Sequence, residues 1–142
     1  MKIGFTGARN GITPIQQRIG MKILNDIWNK ETIDEAHHGD CLGADAWFHS
    51  IISVFFEQTK VVIHPPDRKK HRAFCKGGSR EPKPYLTRNH DIVDETDTLL
   101  AMSGTDDEIM RSGTWATIRY ARKVGKSIVI VFPDGSVKNE SN

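Results

Sequence analysis

The chain has 142 residues, of which 37% are hydrophobic and 27% charged, and its formal net charge is +2. This composition is ordinary for a globular domain and excludes a collagen-like or disordered protein, and no apolar run is long enough to span a membrane. There is no signal-peptide pattern, and Cys41 and Cys75 lack the spacing of a zinc or redox motif. We therefore expect a cytosolic protein with free thiols, consisting of a single domain over residues 1–135 and a polar tail over 136–142 that frays.

Short β-rich segments alternate along the chain with segments of helical periodicity, which is typical of βαβ units around a parallel sheet. The predicted strands are, in chain order, KIGFT, IDEAHH, VVIHP, TLLAM and SIVIVF. Helices are expected after Thr13 and over about 43–57, 85–95 and 112–125. The first helix has the clearest start, because Thr13, Pro14 and Gln16 form a capping box with proline in the first turn.

One long irregular segment, 64–84, contains four prolines and two adjacent glycines, so it is expected to be a functional or mobile loop. Between Pro65 and Arg88 there are eight Lys or Arg residues against Asp67 and Glu81. The following stretch, 91–108, has seven acidic residues and no Lys or Arg. The molecule is therefore expected to be dipolar rather than uniformly basic.

Four segments of the sequence are expected at the carboxyl ends of the strands, where open α/β sheets bind ligands. The first is TGARNG, directly after the first strand, with the candidate binding residues Thr6, Gly7, Ala8 and Arg9. Its glycines let the backbone approach a ligand, and Arg9 can reach a phosphate. An ordinary tight turn would have the same sequence, so both interpretations stay open.

The second segment is HHGDCLGAD, which runs from the second strand into the second helix. Its candidate binding residues are Gly39, Asp40, Cys41, Gly43 and Asp45. Asp45 lies in the first helical turn, where it would either cap the helix or bind a ribose hydroxyl. His37 and His38 are neighbours on a strand and face opposite sides, so they cannot share one metal ion, and no metal site is expected.

The third segment is YLTRNHDIVDETD, in which Arg88 and Asn89 are the candidate binding residues. Arg88 would either pair with Asp91 on the helix surface or direct its guanidinium at a phosphate. The sequence does not choose between the two.

The fourth segment is RSGTWATIRYA, whose candidate residues are Ser112, Gly113, Thr114, Trp115 and Thr117. Unpaired N–H groups and the helix dipole at the start of this helix suit a phosphate. The alternative is a plain serine N-cap, with Trp115 filling the core instead of stacking on a base.

Together the four segments resemble the SLOG superfamily, the Rossmann-like group that includes the LOG phosphoribohydrolases and the Smf-like and YspA-like domains. The most specific parts are GFTGAR, HHGDCLGAD, RNHDIVDETDTLLAM and SGTWATIRYARKVGKSIVIV. The resemblance implies an α/β Rossmann-like three-layer sandwich with a mostly parallel five-stranded sheet in the order 3-2-1-4-5. It also implies a nucleotide cleft made by the four segments and pairing of subunits into a homo-oligomer.

The same resemblance places a threonine where the enzymes of the group have a glutamate. LOG enzymes use an arginine, matched by Arg88, and a glutamate in G-G-x-G-T-x-x-E; Thr117 also replaces the glutamate in the deoxyribosyltransferase pattern G-T-x-x-E-x-x-Y-A. Threonine neither stabilises nor captures an oxocarbenium-like state well. A displaced carboxylate remains an alternative, the candidates being Asp106, Asp107, Glu108 and Asp45.

We therefore expect a protein without catalytic residues, cofactor or metal that binds a nucleotide-derived ligand, of the ADP-ribose or cyclic-nucleotide type, without turnover. It would act as a sensor, or as a sponge that sequesters a signal as viral proteins sequester immune nucleotides. The alternative is a phosphoribohydrolase or nucleoside ribosyltransferase with a displaced acid. Nucleic-acid binding through the basic loop is the least favoured function, because aromatic residues hardly interleave with its charges.

Overall fold

A computed structural model describes residues 1–141 of the chain, which form strands and helices in near-regular alternation. The strands are β1 (Lys2–Gly7), β2 (Glu35–His38), β3 (Lys60–Ile63), β4 (Gly78–Ser79), β5 (Thr98–Met102), β6 (Ser127–Val131) and β7 (Val137–Glu140). The helices are α1 (Pro14–Lys30), α2 (Ala44–Phe55), α3 (Tyr85–Asp94) and α4 (Gly113–Lys123), with a short 3-10 helix at Lys69–His71. None of these helices is long and apolar enough to cross a membrane.

The strands form one sheet in the order β4-β3-β2-β1-β5-β6-β7, with parallel pairing except between β6 and β7. The predicted sheet of five strands in the order 3-2-1-4-5 is therefore wrong in its count, and the order of the whole sheet differs from it, while the five predicted strands keep that order among themselves. The five predicted strands occupy the inner positions, and β4 and β7 extend the sheet at its two edges. The architecture is an α/β fold with a mostly parallel sheet, consistent with a Rossmann-like arrangement.

The C-terminal residues were predicted to fray as a polar tail over 136–142, whereas Val137–Glu140 form the edge strand β7. This strand pairs antiparallel with β6, in the register Val131 opposite Val137. The Nε and Nη2 atoms of Arg122 donate to the two carboxylate oxygens of Glu140 at 2.8 and 2.9 Å. Side-chain pairing thus adds to the backbone ladder at this edge. Asn142 lies outside the described residues.

Helices cover both faces of the sheet because the strands are apolar on both sides. On one face, α1 and α2 pack on Phe5, which stacks on Phe48 with ring centroids 4.4 Å apart. On the other face, α3 and α4 contribute Val93 and Ile118 to a second buried cluster. The capping box predicted for α1 is confirmed: Thr13 Oγ1 accepts from the Gln16 amide, and the Gln16 side chain accepts from the Thr13 amide.

Candidate functional site

A cavity of about 440 Å³ opens at the carboxyl ends of β1 and β5. The strand β1 lies between β2 and β5, so the chain crosses over in opposite directions on its two sides and leaves a crevice there. The turns after β1, β2 and β5, one side of α3 and the start of α4 form the walls.

Most of the predicted binding residues line this cavity. They are Thr6, Gly7, Ala8, Arg9, Gly39, Cys41, Asp45, Arg88, Asn89, Ser112, Gly113 and Thr114. The prediction also named residues that do not line it, namely Asp40, Gly43, Trp115 and Thr117. Sequence reasoning missed the lining residues Phe5, Asn10, Tyr85, Leu86, Ile92, Gly104 and Thr105. Tyr85 and Leu86 lie three residues before Arg88 and Asn89 respectively, a spacing that would have identified them.

Arg88 lies buried beneath the cavity and does not pair with Asp91, the surface partner that the sequence allowed. Its Nη1 donates to the carbonyl oxygens of Gly39 and His64, and its Nη2 lies 3.7 Å from the Cys41 sulfur. Its Nε has no hydrogen-bond partner among residues 1–141. Asp91 instead accepts from the Lys83 side chain at 2.7 Å. Arg88 therefore brings a buried positive charge and one unused donor to the site.

Asp45 is a buried carboxylic acid in the cavity wall, at the first turn of α2. Burial raises its pKa to about 6, against the opposing effect of the Arg88 guanidinium and the Cys41 amide, which donates to Oδ2 at 3.1 Å. Gly39 lies between the two charged groups: a Cβ atom there would collide with the Arg88 guanidinium and lie 3.0 Å from Asp45 Oδ2. Glycine at this position therefore leaves the space that the Arg88 guanidinium occupies beside Asp45.

Asp40 and Gly43 have structural contacts in place of the predicted ligand contacts. Asp40 has a φ of 57° and turns away from the cavity, where its Oδ2 accepts from Arg72 Nε at 2.7 Å and its Oδ1 from the Cys75 amide at 2.8 Å. Gly43 has a φ of 85°, and a Cβ atom there would collide with the Arg9 carbonyl group. Gly43 therefore allows the turn after β1 to pack on the start of α2.

The start of α4 presents backbone and hydroxyl groups to the cavity. The Ser112 side chain caps the helix by accepting from the Trp115 amide at 3.2 Å, so the plain N-cap interpretation holds for its hydroxyl. Gly113 and Thr114 line the cavity, and nothing lies within 4 Å of a Cβ atom built on Gly113. The Gly113 and Thr114 amides are therefore open to a ligand from this side.

Trp115 and Thr117 belong to the interior of the domain. The Trp115 indole is 3% exposed and donates to the hydroxyls of Ser103 and Thr105, both at 3.1 Å. Thr117 is 1% exposed, and its hydroxyl donates to the Gly113 carbonyl at 2.8 Å. Neither residue is among those that line the cavity, and Trp115 packs in the buried cluster beneath α4, as its interpretation as a core residue predicted.

Most of the candidate replacement carboxylates lie away from the cavity. Asp106 and Asp107 are exposed in the loop before α4. Glu108 pairs with Arg119 at 3.0 Å and Arg122 at 2.9 Å, and these guanidinium groups lower its pKa. Asp45 is the one candidate that lines the cavity.

The basic loop is partly neutralised within the domain. Arg72 pairs with Asp40, Arg80 with Glu95, and Lys83 with an acid of α3, while Arg88 is buried under the cavity. Half of the eight basic residues in the loop are therefore held by the protein itself. This reduces the positive charge that the loop offers to a nucleic acid.

Comparison with known proteins gives one finding about the fold. No family model matches the chain, and no curated protein matches it. The chain is similar to the X-ray structure of TM1055, a Northeast Structural Genomics Consortium target, with a TM-score of 0.58 and 15% sequence identity. The match covers 89% of this chain and 71% of that one. At this identity the likeness shows a shared α/β fold with a mostly parallel sheet and carries nothing about ligands.

Proposed function

We propose that the cavity binds a nucleotide-derived ligand, of the ADP-ribose or cyclic-nucleotide type, and does not convert it. The observation that carries the proposal is the combination of two arginines, Arg9 and Arg88, with the open first turn of α4 around a single cavity. Anionic phosphates are the ligand groups that this combination of donors favours. The SLOG-like pattern of the sequence agrees with this ligand class.

The walls offer distinct contacts to the parts of a nucleotide. Amides of Gly113 and Thr114 would bind a phosphate at the positive end of the α4 dipole. Arg9 is exposed and lies 5.6 Å from the Tyr85 ring centroid, from where it can cover a second phosphate. The volume of about 440 Å³ is that of a small-molecule site of nucleotide size.

The position of Thr117 supports binding without turnover. Its side chain is buried and hydrogen-bonded to the Gly113 carbonyl, so the position that carries a glutamate in the similar enzymes offers no group to the cavity. Glycosidic cleavage needs a carboxylate beside the anomeric carbon. The protein would therefore act on its ligand by binding alone, as a sensor or as a sponge.

A second function has one specific observation in its favour, the environment of Asp45. A cavity-lining carboxylic acid whose pKa is about 6 has the protonation behaviour of a general acid near neutral pH. In this alternative, Asp45 replaces the missing glutamate of a phosphoribohydrolase or nucleoside ribosyltransferase.

The two functions differ in what is recovered from the protein after incubation. Purified protein would be incubated with ADP-ribose, cyclic dinucleotides and nucleoside monophosphates, washed, denatured, and its small molecules identified by mass spectrometry. Intact ligand supports binding without turnover. Free base with ribose phosphate in the wild type, absent from Asp45→Asn, supports the enzyme. Recovery of no compound from any incubation would contradict both. Light scattering in the same preparation tests the predicted homo-oligomer.

A further inference from the structure

Two pairs of histidines lie on opposite faces of β2, outside the cavity. His37 Nδ1 lies 2.8 Å from His64 Nε2, and on the other face His38 Nε2 lies 2.9 Å from His49 Nδ1. His37 and His38 therefore face opposite sides of the strand, as the alternation of side chains along a strand predicts. Each histidine instead meets a partner that is distant in the sequence and was not considered.

Each pair has a third group with metal-ligating chemistry. One ring nitrogen each of His37 and His64 and one oxygen of Glu95 lie within 4.8 Å of one another, and so do the corresponding atoms of His38, His49 and Cys75. Two imidazoles with a carboxylate are a ligand set of catalytic zinc sites, and zinc also binds mixtures of imidazole and thiolate. The two clusters differ in the hydrogen bonds that their imidazole rings form, and this difference decides which one suits a metal ion.

The hydrogen bonds of His37 place its lone pair on the nitrogen that faces the cluster. Its Nε2 lies 2.8 Å from the Glu35 carboxylate, which can only accept, so this nitrogen carries the proton. The lone pair is then on Nδ1, where it accepts from His64 Nε2 at 2.8 Å. An ion bound between these two nitrogens would move the His64 proton from Nε2 to Nδ1, the nitrogen of that ring that lies toward Glu95. A carboxylate behind a ligating imidazole fixes the tautomer and the ring orientation in many metal sites. The other nitrogen of His64, Nδ1, lies 3.9 Å from the Glu95 carboxylate.

The second cluster has the opposite arrangement. The Asp40 amide donates to His38 Nδ1 at 3.0 Å, so the proton of that ring is on Nε2, the nitrogen that faces His49. Binding of an ion there would require His38 to lose this proton while the amide still occupies Nδ1. The third group is also unsuited, because burial and the Asp40 carboxylate raise the pKa of Cys75 to about 12.

We propose that His37, His64 and Glu95 bind a divalent transition-metal ion of the zinc type, with Glu35 positioning the His37 ring. The three protein ligands leave a fourth position for water. The ion would join β2, the residue after β3 and the C-terminal end of α3. His64 also accepts from Arg88 through its carbonyl oxygen at 3.1 Å, so an ion on its ring would hold the backbone that supports the cavity.

Arg80 places a positive charge beside the proposed site. Its guanidinium pairs with Oε1 of Glu95, whereas Oε2 is the oxygen that lies toward His64, and both side chains of the pair are partly exposed. The guanidinium repels a bound cation and draws negative charge from the carboxylate that would bind it. Removal of the Arg80 charge should therefore strengthen metal binding, whereas a merely structural cluster would not respond in this way.

The test is titration of the metal-free full chain with Zn²⁺ by calorimetry and with Co²⁺ by absorption spectroscopy. The wild type should bind one equivalent, and the Co²⁺ spectrum should show d–d bands without sulfur-to-metal charge transfer, because the site has no thiolate. Glu95→Gln should weaken Zn²⁺ binding by about tenfold or more, and Arg80→Gln should tighten it. His49→Gln, in the second cluster, is the matched control and should leave affinity unchanged.

Several results would overturn the assignment. Absence of stoichiometric Zn²⁺ binding by the wild type would do so, as would a sulfur-to-cobalt charge-transfer band, which would place the ion at Cys75. Equal affinities of the wild type, Glu95→Gln and Arg80→Gln would show that the ion binds elsewhere. Both substituted side chains are partly exposed, so these variants are expected to fold. Nucleotide binding does not enter the readout, so failure here leaves the proposed function standing.

Discussion

The Nε atom of Arg72 donates to Oδ2 of Asp40 across 2.7 Å, and this ion pair joins the long basic loop to the turn between β2 and α2. Asp40 is fully buried, and its backbone carbonyl also accepts from the Ala73 amide at 2.7 Å. A residue that the sequence placed in the ligand site thus holds the loop against the domain. The loop is attached next to the cavity wall formed by Gly39 and Cys41.

Arg72→Ala should lower the free energy of unfolding by about 1–3 kcal/mol, because it leaves the buried Asp40 carboxylate without its charged partner. Chemical denaturation at pH 7 measures the effect. Arg68→Ala is the control, since Arg68 is exposed and forms no ion pair within residues 1–141. Equal stability of the two variants would show that the ion pair contributes nothing to the attachment of the loop.

Arg9→Gln should weaken ligand binding by about tenfold, the equivalent of one charge-assisted hydrogen bond, and should leave folding intact. Arg9 is suited to this test because it lines the cavity and is exposed, whereas loss of the buried Arg88 would also damage the fold. Affinity for the ligand recovered by mass spectrometry is the measurement. Arg68→Gln removes the same charge outside the cavity, and a matching loss there would indicate nonspecific attraction.

Thr117→Glu should destabilise the domain by about 3 kcal/mol or more and produce no glycosidase activity, because the carboxylate would be buried without a partner. Thr117→Val, which removes only the hydrogen bond to Gly113, should cost about 1 kcal/mol. Thermal unfolding and an assay for released base measure the two effects. A stable Thr117→Glu variant that releases base would mean that this position does reach the cavity.

Asp45→Asn should remove a pH dependence of stability between about pH 4 and 6. The folded pKa of about 6 exceeds the usual value of 3.8, so the folded state binds more protons than the unfolded chain in this window, and wild-type stability falls as the pH rises. Across this window the free energy of unfolding of the wild type falls by about 3 kcal/mol. Urea denaturation at pH 4, 5, 6 and 7 should show that the free energy of unfolding of the variant rises relative to that of the wild type up to pH 6. Parallel curves would contradict the raised pKa.

The inner part of the fold could be predicted because its signals are local. Apolar runs such as SIVIV identify buried strands without reference to the rest of the chain, and the α1 capping box identifies its helix start. The edge strands could not be predicted. β4 is Gly-Ser and β7 is VKNE, so neither has a strand pattern, and each exists only because a neighbouring strand offers its backbone.

Residues of the cavity wall could be predicted where a short motif fixes the backbone. The prediction failed where the direction of a side chain decides whether the residue reaches the cavity. Gly7, Gly39 and Gly113 line the cavity as expected, because their place follows from the strand ends and the helix start. Asp40 and Thr117 belong to the predicted segments but point elsewhere, and the Asp40 carboxylate accepts from Arg72 and from the Cys75 amide, which are distant in the sequence. Contacts of this kind are not visible in a local pattern.

The strand β7 also protects the sheet from pairing with other copies of the chain. It pairs with the outer edge of β6, whose SIVIV sequence is rich in residues that favour strands. Without β7, the unpaired backbone groups of β6 could pair with another chain. Its own outward edge includes Lys138 and Glu140, and charged side chains at such a position discourage further pairing. Loss of a few polar residues at this edge would therefore be expected to show itself as aggregation rather than as a change in ligand binding.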